Sequence, residues 1–329
     1  MPPAPFVQPP LSGIPSYELC QLCPRLCSAQ RDAGERGRCG QGNRMRIGLA
    51  SLHFGEEPVL VGKGGSGTIF FSGCTLGCTF CQNHQLSKQG LGRDVDTAEF
   101  ASICLALQKA GAVNINLVTG THFIPGIIEG IGMARAAGLS LPVLWNSSGY
   151  ERAEMIEALK GTVDVWLPDF KTMDPATAGR YFLATDYPEA AAGAILAMAE
   201  GYPLEYDEAG LLRRGLIMRH LVLPGKLEES GAVLAWFAKH LGGRALPSIM
   251  TQYTPIEALK GRSAPACALS PEEYERLLSL IDEFELGEGF YQELVPGAEW
   301  LPDFCRDNPF SAELARTVWH HSRGFMALE

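Results

Sequence analysis

Seven of the ten cysteines in this 329-residue chain fall into two tight groups. Cys74, Cys78 and Cys81 are spaced C-x3-C-x2-C, with Gly73 in front, Phe80 just before the third cysteine and Asn83 just after it. A loop with this spacing can aim three thiolates at three irons of a cubane. Iron–sulfur clusters are ordinarily held by four cysteines, so a set of three leaves one iron for a ligand that is not protein. The second group, Cys20, Cys23, Cys27 and Cys39, is spaced C-x2-C-x3-C-x11-C. Four thiolates form a closed tetrahedral site, suited to structural zinc or a second iron–sulfur cluster. Gly34, Gly37 and Gly40 allow the turns that would bring them together. The spacing differs from the bacterial ferredoxin run and does not choose the metal. The plain alternative for either group is a set of reduced, buried thiols. Cys267 and Cys305 stand alone and read as structural.

These loops need a scaffold, and the chain has the material for one. At 329 residues and 46% hydrophobic it can bury a large core. A formal charge of -10 argues against a general nucleic-acid binder. No uncharged apolar run reaches 18 residues, so no membrane helix is expected. No secretory leader is visible. Ten cysteines without such a leader point to metal ligation in a reducing, cytoplasmic setting.

The pattern divides the chain into a proline-rich tail over 1–16, a cysteine-rich module over 17–61, a barrel over 62–256 and a C-terminal extension over 257–329. Met45–Ser51 and Val59–Val61 read as short strands, and Thr68–Ser72 as the strand that delivers the three-cysteine loop. Asp96 with Glu99 opens a helix in capping-box fashion. Its apolar face is Phe100, Ile103, Cys104 and Leu107, which makes Cys104 a core residue. Strands over Val113–Thr119, Val143–Asn146, Val163–Phe170, Leu216–Leu223 and Ala245–Gln252 alternate with helices begun by Pro125, Glu151, Tyr187 and Glu228. Such alternation calls for parallel β/α units. Six of them make an α/β fold, a partial (β/α)6 barrel. Ser270 and Pro271 open a further helix in the extension.

In parallel barrels the chemistry sits at the C-terminal strand ends. There the chain places Thr119, Asn146 and Ser147, Asp169 and Lys171, Arg219 and His220, and Thr251 to Tyr253. Each also has a plain reading: Asn146 and Ser147 as turn caps, His220 as a satisfied core histidine.

The cysteine stretch resembles the signature of radical S-adenosylmethionine (SAM) enzymes. Within that superfamily the chain is similar to the activases of glycyl radical enzymes, the pyruvate formate-lyase-activating-enzyme-like proteins, over roughly residues 62–256. Asn146 to Gly149 stands where the activases carry Asp-Thr-Asn-Gly, Leu167 to Lys171 matches their Leu-Asp-Leu-Lys element, and Arg219 to Gly225 matches their Arg-x-Val-x-Pro-Gly strand. The four-cysteine module ahead of such a barrel looks like a subgroup with no assigned reaction.

The resemblance implies a [4Fe–4S] cluster on Cys74, Cys78 and Cys81. It implies SAM on the open iron, near Phe80, Asn83, Thr119, Asn146, Ser147, Asp169, Lys171, Arg219 and His220. One electron from a flavodoxin- or ferredoxin-type reductant would cleave SAM to methionine and a 5′-deoxyadenosyl radical that abstracts hydrogen. By this likeness the substrate is a backbone glycine of a partner protein. The alternatives are a peptide- or small-molecule-modifying radical SAM enzyme, and a non-enzymatic Fe–S carrier or metal scaffold. Two departures stand out. The Gly-Gly-Glu of many relatives is replaced by Thr119 to His122, so backbone carbonyls and Thr119 are expected to hold the SAM amino group without a glutamate. Asn146 replaces an aspartate that helps bind a monovalent cation.

Overall fold

The computed structural model describes residues 16–256, 259, 263–294, 297 and 300–327. The proline-rich tail expected over 1–16 lies, except for its last residue, outside them. Two single-turn 3-10 helices, Tyr17–Leu19 and Arg31–Ala33, frame the first cysteine group. There follow β1 (Met45–His53), α1 (Pro58–Val61), β2 (Ser66–Phe71), α2 (His84–Ser87), β3 (Arg93–Val95), α3 (Thr97–Lys109), β4 (Ile115–Val118) and α4 (Ile124–Ala136). The chain continues through β5 (Val143–Ser147), α5 (Ala153–Leu159), β6 (Val165–Pro168), α6 (Pro175–Phe182), α7 (Tyr187–Ala199), β7 (Glu205–Tyr206), β8 (Leu212–Leu221) and α8 (Leu227–Leu241). It closes with β9 (Leu246–Met250), α9 (Pro271–Glu283), β10 (Phe290–Tyr291), β11 (Ala315–His320) and β12 (Gly324–Phe325).

The strands form one sheet in the order β10-β9-β8-β6-β5-β4-β2-β1-β11-β12. From β2 to β9 every neighbour on this path is parallel. This is the expected six-unit α/β partial barrel. Alternate residues of its strands serve two different layers, as the period of two requires. Val143, Trp145, Trp166, Leu216 and Met218 join the helices in the main core. Leu144, Val165, Leu167, Ile217 and Leu246 face the lumen and enclose Leu60.

That enclosure explains why Val59–Val61, read above as a strand, is instead part of a helix. Pro58 sets the first helical position, and Leu60, fully buried, plugs the lumen. Removing a side chain in such a position typically costs about 2–5 kcal/mol.

The Asp96 cap is present, its side chain accepting the Glu99 N–H at 2.8 Å. Glu99 does not complete the box; it pairs with Arg93 instead. Phe100, Ile103, Cys104 and Leu107 are all buried. Helix α6 was not anticipated. Asp174 caps it by accepting from Ala176 and Thr177, and Pro175 sits in its first turn. Beyond its helix, the extension also supplies strands to both edges of the sheet. β11 lies antiparallel to β1 and β10 parallel to β9.

Candidate active site

The three-cysteine loop leaves the C-terminal end of β2, a strand buried along its whole length. Gly73 starts it with φ +81, and a Cβ there would stand 2.6 Å from the Cys39 carbonyl oxygen. Only glycine allows the N-terminal module to lie this close against the loop. Arg25, from that module, donates to the carbonyls of Thr75 (3.0 Å) and Leu76 (3.0 Å) in the loop. It also donates to Phe182 (2.8 Å) and Leu183 (2.5 Å) at the end of α6. The Thr79 N–H donates to the Tyr181 carbonyl at 2.9 Å. A guanidinium thus ties module, loop and helix together, a contact that the sequence pattern did not disclose.

Cys78 is buried, while Cys74 and Cys81 are partly exposed. Gly77 N–H donates to the Cys74 sulfur at 3.4 Å, and the Ser87 hydroxyl to the Cys81 sulfur at 3.3 Å. Burial holds the Cys78 thiol well above the usual range, opposed by the nearby Lys171 cation. Burial and then the Cys81 thiol hold Cys74 up as well. Among the described residues no group of three or more His, Cys, Asp or Glu side chains is arranged to hold a metal ion. The thiols share one neighbourhood without closing on a common point. Soft sulfur donors, N–H and O–H groups aimed at them and an adjacent cation are nonetheless the surroundings that suit a thiolate-held cluster.

Lys171 and Asp169 stand at the end of β6 and pair at 2.6 Å. Burial works against the Lys171 charge, but Asp169 and Cys78 more than offset it and hold the ammonium above its ordinary range. The Lys171 N–H donates to the Tyr187 hydroxyl at 2.9 Å. That hydroxyl lies within donating distance of the Ser148 and Asp169 carbonyls. Gly149 has φ +74, and a Cβ would come within 2.4 Å of the Asp169 carbonyl, so the Asn146–Gly149 turn depends on its glycine. Ser147 is buried and accepts the Gly149 N–H. Thr119 holds a left-handed φ of +62, its N–H donating to the Asn146 carbonyl at 2.8 Å. A β-branched residue in that region is strained, and such strain concentrates at functional sites. Phe80 is buried, its ring edge-on to Tyr181, Phe182 and Tyr253. The buried Asn83 Oδ1 has no hydrogen-bond partner.

Two predicted contacts are engaged elsewhere. His220 is enclosed, Nδ1 against the Phe170 carbonyl (2.7 Å) and Nε2 against the Ser230 hydroxyl (2.9 Å). Burial pushes its pKa down to about 4. Arg219 neighbours Asp169 across the strands, but its guanidinium pairs with Glu56 (2.5 Å) and with Glu57.

A glutamate does lie beside the β4 end, and it comes from the next loop. Glu151, 1% exposed, accepts from Thr121 (2.8 Å) and Trp145 (3.0 Å). Its Oε2 has no partner, and burial pushes its pKa up to about 7. Read above as the start of a helix, Glu151 instead lies in the connection before it, the helix beginning at Ala153 after Arg152.

In the module, Cys20, Cys23 and Cys39 are buried and Cys27 is partly so. Beside Gly37, a Cβ would meet the Cys27 and Cys39 sulfurs at 3.3 and 3.5 Å. Arg31 is buried, donating to the Cys20 sulfur (3.5 Å), the His122 carbonyl (2.7 Å) and the Gly42 carbonyl. Cys104 is buried in the core, whereas Cys267 and Cys305 are exposed.

Residues 68–203 match the model of the radical SAM superfamily. An uncharacterized protein of Methanocaldococcus jannaschii is 30% identical over 281 residues, 82% of this chain and 76% of that protein. Among solved structures, SuiB of Streptococcus suis bound to S-adenosylmethionine matches with a TM-score of 0.46 and 12% identity over 67% of this chain. Methylornithine synthase (PylB) gives 0.41 and 16% over 64%. The chain spans 48% of the SuiB chain and 59% of the synthase. Among the described residues no helix is long and apolar enough to cross a membrane.

Proposed function

The chain belongs to the same family as the Methanocaldococcus jannaschii protein; from the match of residues 68–203 to the radical SAM superfamily model we propose that it is a radical SAM protein in which Cys74, Cys78 and Cys81 hold a [4Fe–4S] cluster whose fourth iron takes SAM. When bound, this pair would supply the chemistry, one-electron reductive cleavage of SAM to methionine and a 5′-deoxyadenosyl radical able to abstract hydrogen from a substrate. Ser87 and Gly77 donate to the sulfurs and steady the thiolates. Lys171 offsets their negative charge and, with Asp169, receives the carboxylate and ribose of SAM. Phe80 offers an aromatic surface to the adenine. Tyr181, Phe182 and Tyr253 around it keep water out. Thr119 and the Asn146–Gly149 turn supply carbonyl and amide groups to the amino end. The carrying observation is the three-thiol loop at the end of β2, with hydrogen-bond donors on two of its sulfurs and a cation beside the third.

The finer reading is an activase-like enzyme. Its substrate is a backbone glycine of a partner protein, its electrons come from a flavodoxin- or ferredoxin-type carrier, and a second metal, zinc or Fe–S, sits on Cys20, Cys23, Cys27 and Cys39. Anaerobic reconstitution, with iron and zinc counted and SAM and dithionite added, tests the core of this. The expected product is 5′-deoxyadenosine, absent in Cys78→Ala. A Cys78→Ala protein that still cleaves SAM sinks the proposal. A glycyl-radical doublet in the electron paramagnetic resonance spectrum of a second protein would support the activase assignment.

A further inference from the structure

Between the cysteine module and the barrel loop lies a surface cleft of about 750 Å³. Its walls carry Arg36 and Arg38 from the module, Arg46 from β1 and Lys88 from just after α2. Cys39 and Cys74, one from each cysteine group, line it as well. No Asp or Glu is among its lining residues, although the chain as a whole has a formal charge of -10. Arg36 and Arg38 are exposed. The geometry of Arg36 and Arg46 is held, by the Gly40 carbonyl (2.9 Å) and by Asp94 (2.7 Å) respectively. Phe80, Asn146, Asp169 and Lys171 do not line the cleft, whereas Cys74 and its loop neighbours Gly77 and Ser87 do, so an occupant would sit against the outer side of the three-cysteine loop.

We propose that this cleft is the docking surface for an acidic one-electron carrier protein. The inference rests on the radical SAM reading above, which requires electrons from outside. One electron leaves the carrier, oxidising it by one, and enters the barrel-loop cluster, reducing it by one. Cys74 is the thiol of the three that lines the cleft. A surface of one sign attracts a partner of the other and speeds encounter, and electron-transfer partners meet over small contacts. Arg36 and Arg38, both exposed, carry most of this charge; Arg46 and Lys88 extend it from two other segments, Arg46 while paired with Asp94. That spread fits a carrier's acidic face better than a single oxyanion.

The test uses the full-length reconstituted protein and flavodoxin as the acidic carrier. Binding is measured by titration calorimetry at low and high salt, and 5′-deoxyadenosine formation is driven either by reduced flavodoxin or by dithionite. The unaltered protein is expected to bind flavodoxin more weakly as salt rises. The Arg36→Glu/Arg38→Glu variant is expected to lose about tenfold or more in flavodoxin binding and flavodoxin-driven rate. Its dithionite-driven rate stays unchanged. Lys88→Gln, a milder change, loses less and guards against misfolding of the double variant. Equal binding by all three proteins, or binding indifferent to salt, overturns the proposal. So does displacement of nothing but inorganic phosphate from the cleft, which would make it a small-anion site. Absence of SAM cleavage by the unaltered protein with dithionite overturns the catalytic reading itself, independently of the binding result.

Discussion

The cysteines of the N-terminal module are placed by their own turns, while those of the barrel loop are placed by distant parts of the chain. In the module, Cys20 and Ala29, Ser28 and Cys20, and Gly37 and Gln41 close backbone hydrogen bonds over short spans. Leu26 and Ser28 take left-handed φ values of 43 and 50 to make them. The barrel loop has few bonds of its own. Arg25 reaches it from 50 residues upstream, and Tyr181 meets Thr79 from the far side. A locally specified site tolerates changes elsewhere in the molecule. A site assembled by long-range contacts inherits the stability of everything that reaches it.

The sharpest separation of the two should come from the thiols. Cys78→Ala is expected to abolish iron at the barrel loop and all SAM cleavage. Cys23→Ala should remove only the metal proposed for the module, as counted by iron and zinc analysis. If both deletions strip both metals, the two sites are one cooperative unit and the contrast fails. Next, Arg25→Ala breaks the bridge between them. Loss of charged hydrogen bonds to four carbonyls should cost about 3 kcal/mol, read by denaturant unfolding, with SAM cleavage falling while the module keeps its metal.

A comparable effect of different character should come from Glu151. Its carboxyl pKa is raised in the folded state from 4.5 to about 7, so the folded state holds a proton that the unfolded chain has released. Stability is therefore full below about pH 4.5 and declines as pH rises to 7, by up to about 3 kcal/mol. Glu151→Gln should flatten that slope; unfolding curves at pH 5 and pH 8 decide it. The smallest effect is expected at Ser230. Ser230→Ala removes the partner of His220 Nε2 and should cost about 1 kcal/mol with no change in SAM cleavage. A change in cleavage would support the SAM contact expected of His220.

What could be read in advance follows the same division. The cysteine spacings, the Asp96 cap, the Ser270 and Pro271 helix start and the alternation of strands with helices are patterns of neighbouring residues, readable along the sequence without knowing what packs against what. Helix α6 carried a local signal too, Asp174 before Pro175, but it was short and lay between two stronger elements. The pairing of Arg219 with Glu56 and Glu57 spans 162 residues or more. The neighbourhood of Glu151 and the reach of Arg25 likewise depend on the closed sheet, and no spacing rule announces them. Val59 to Val61 has strand composition, yet burial of Leu60 in the lumen decided its conformation.

The pairing of β1 with β11 bears on how the molecule is made. β2, which carries the three-thiol loop, has β1 on one flank, and the other side of β1 is covered by β3 along residues 45–47 and by residues 315–320 along residues 49–53. During folding, residues 49–53 of β1 therefore stay an open edge until residues 315–320 arrive, and open edges invite wrong partners. Loading of iron before that strand arrives would act on an unfinished frame. Completion of that frame thus depends on a strand from the C-terminal extension, and the cysteines, all of them free thiols, would have to stay reduced until it pairs.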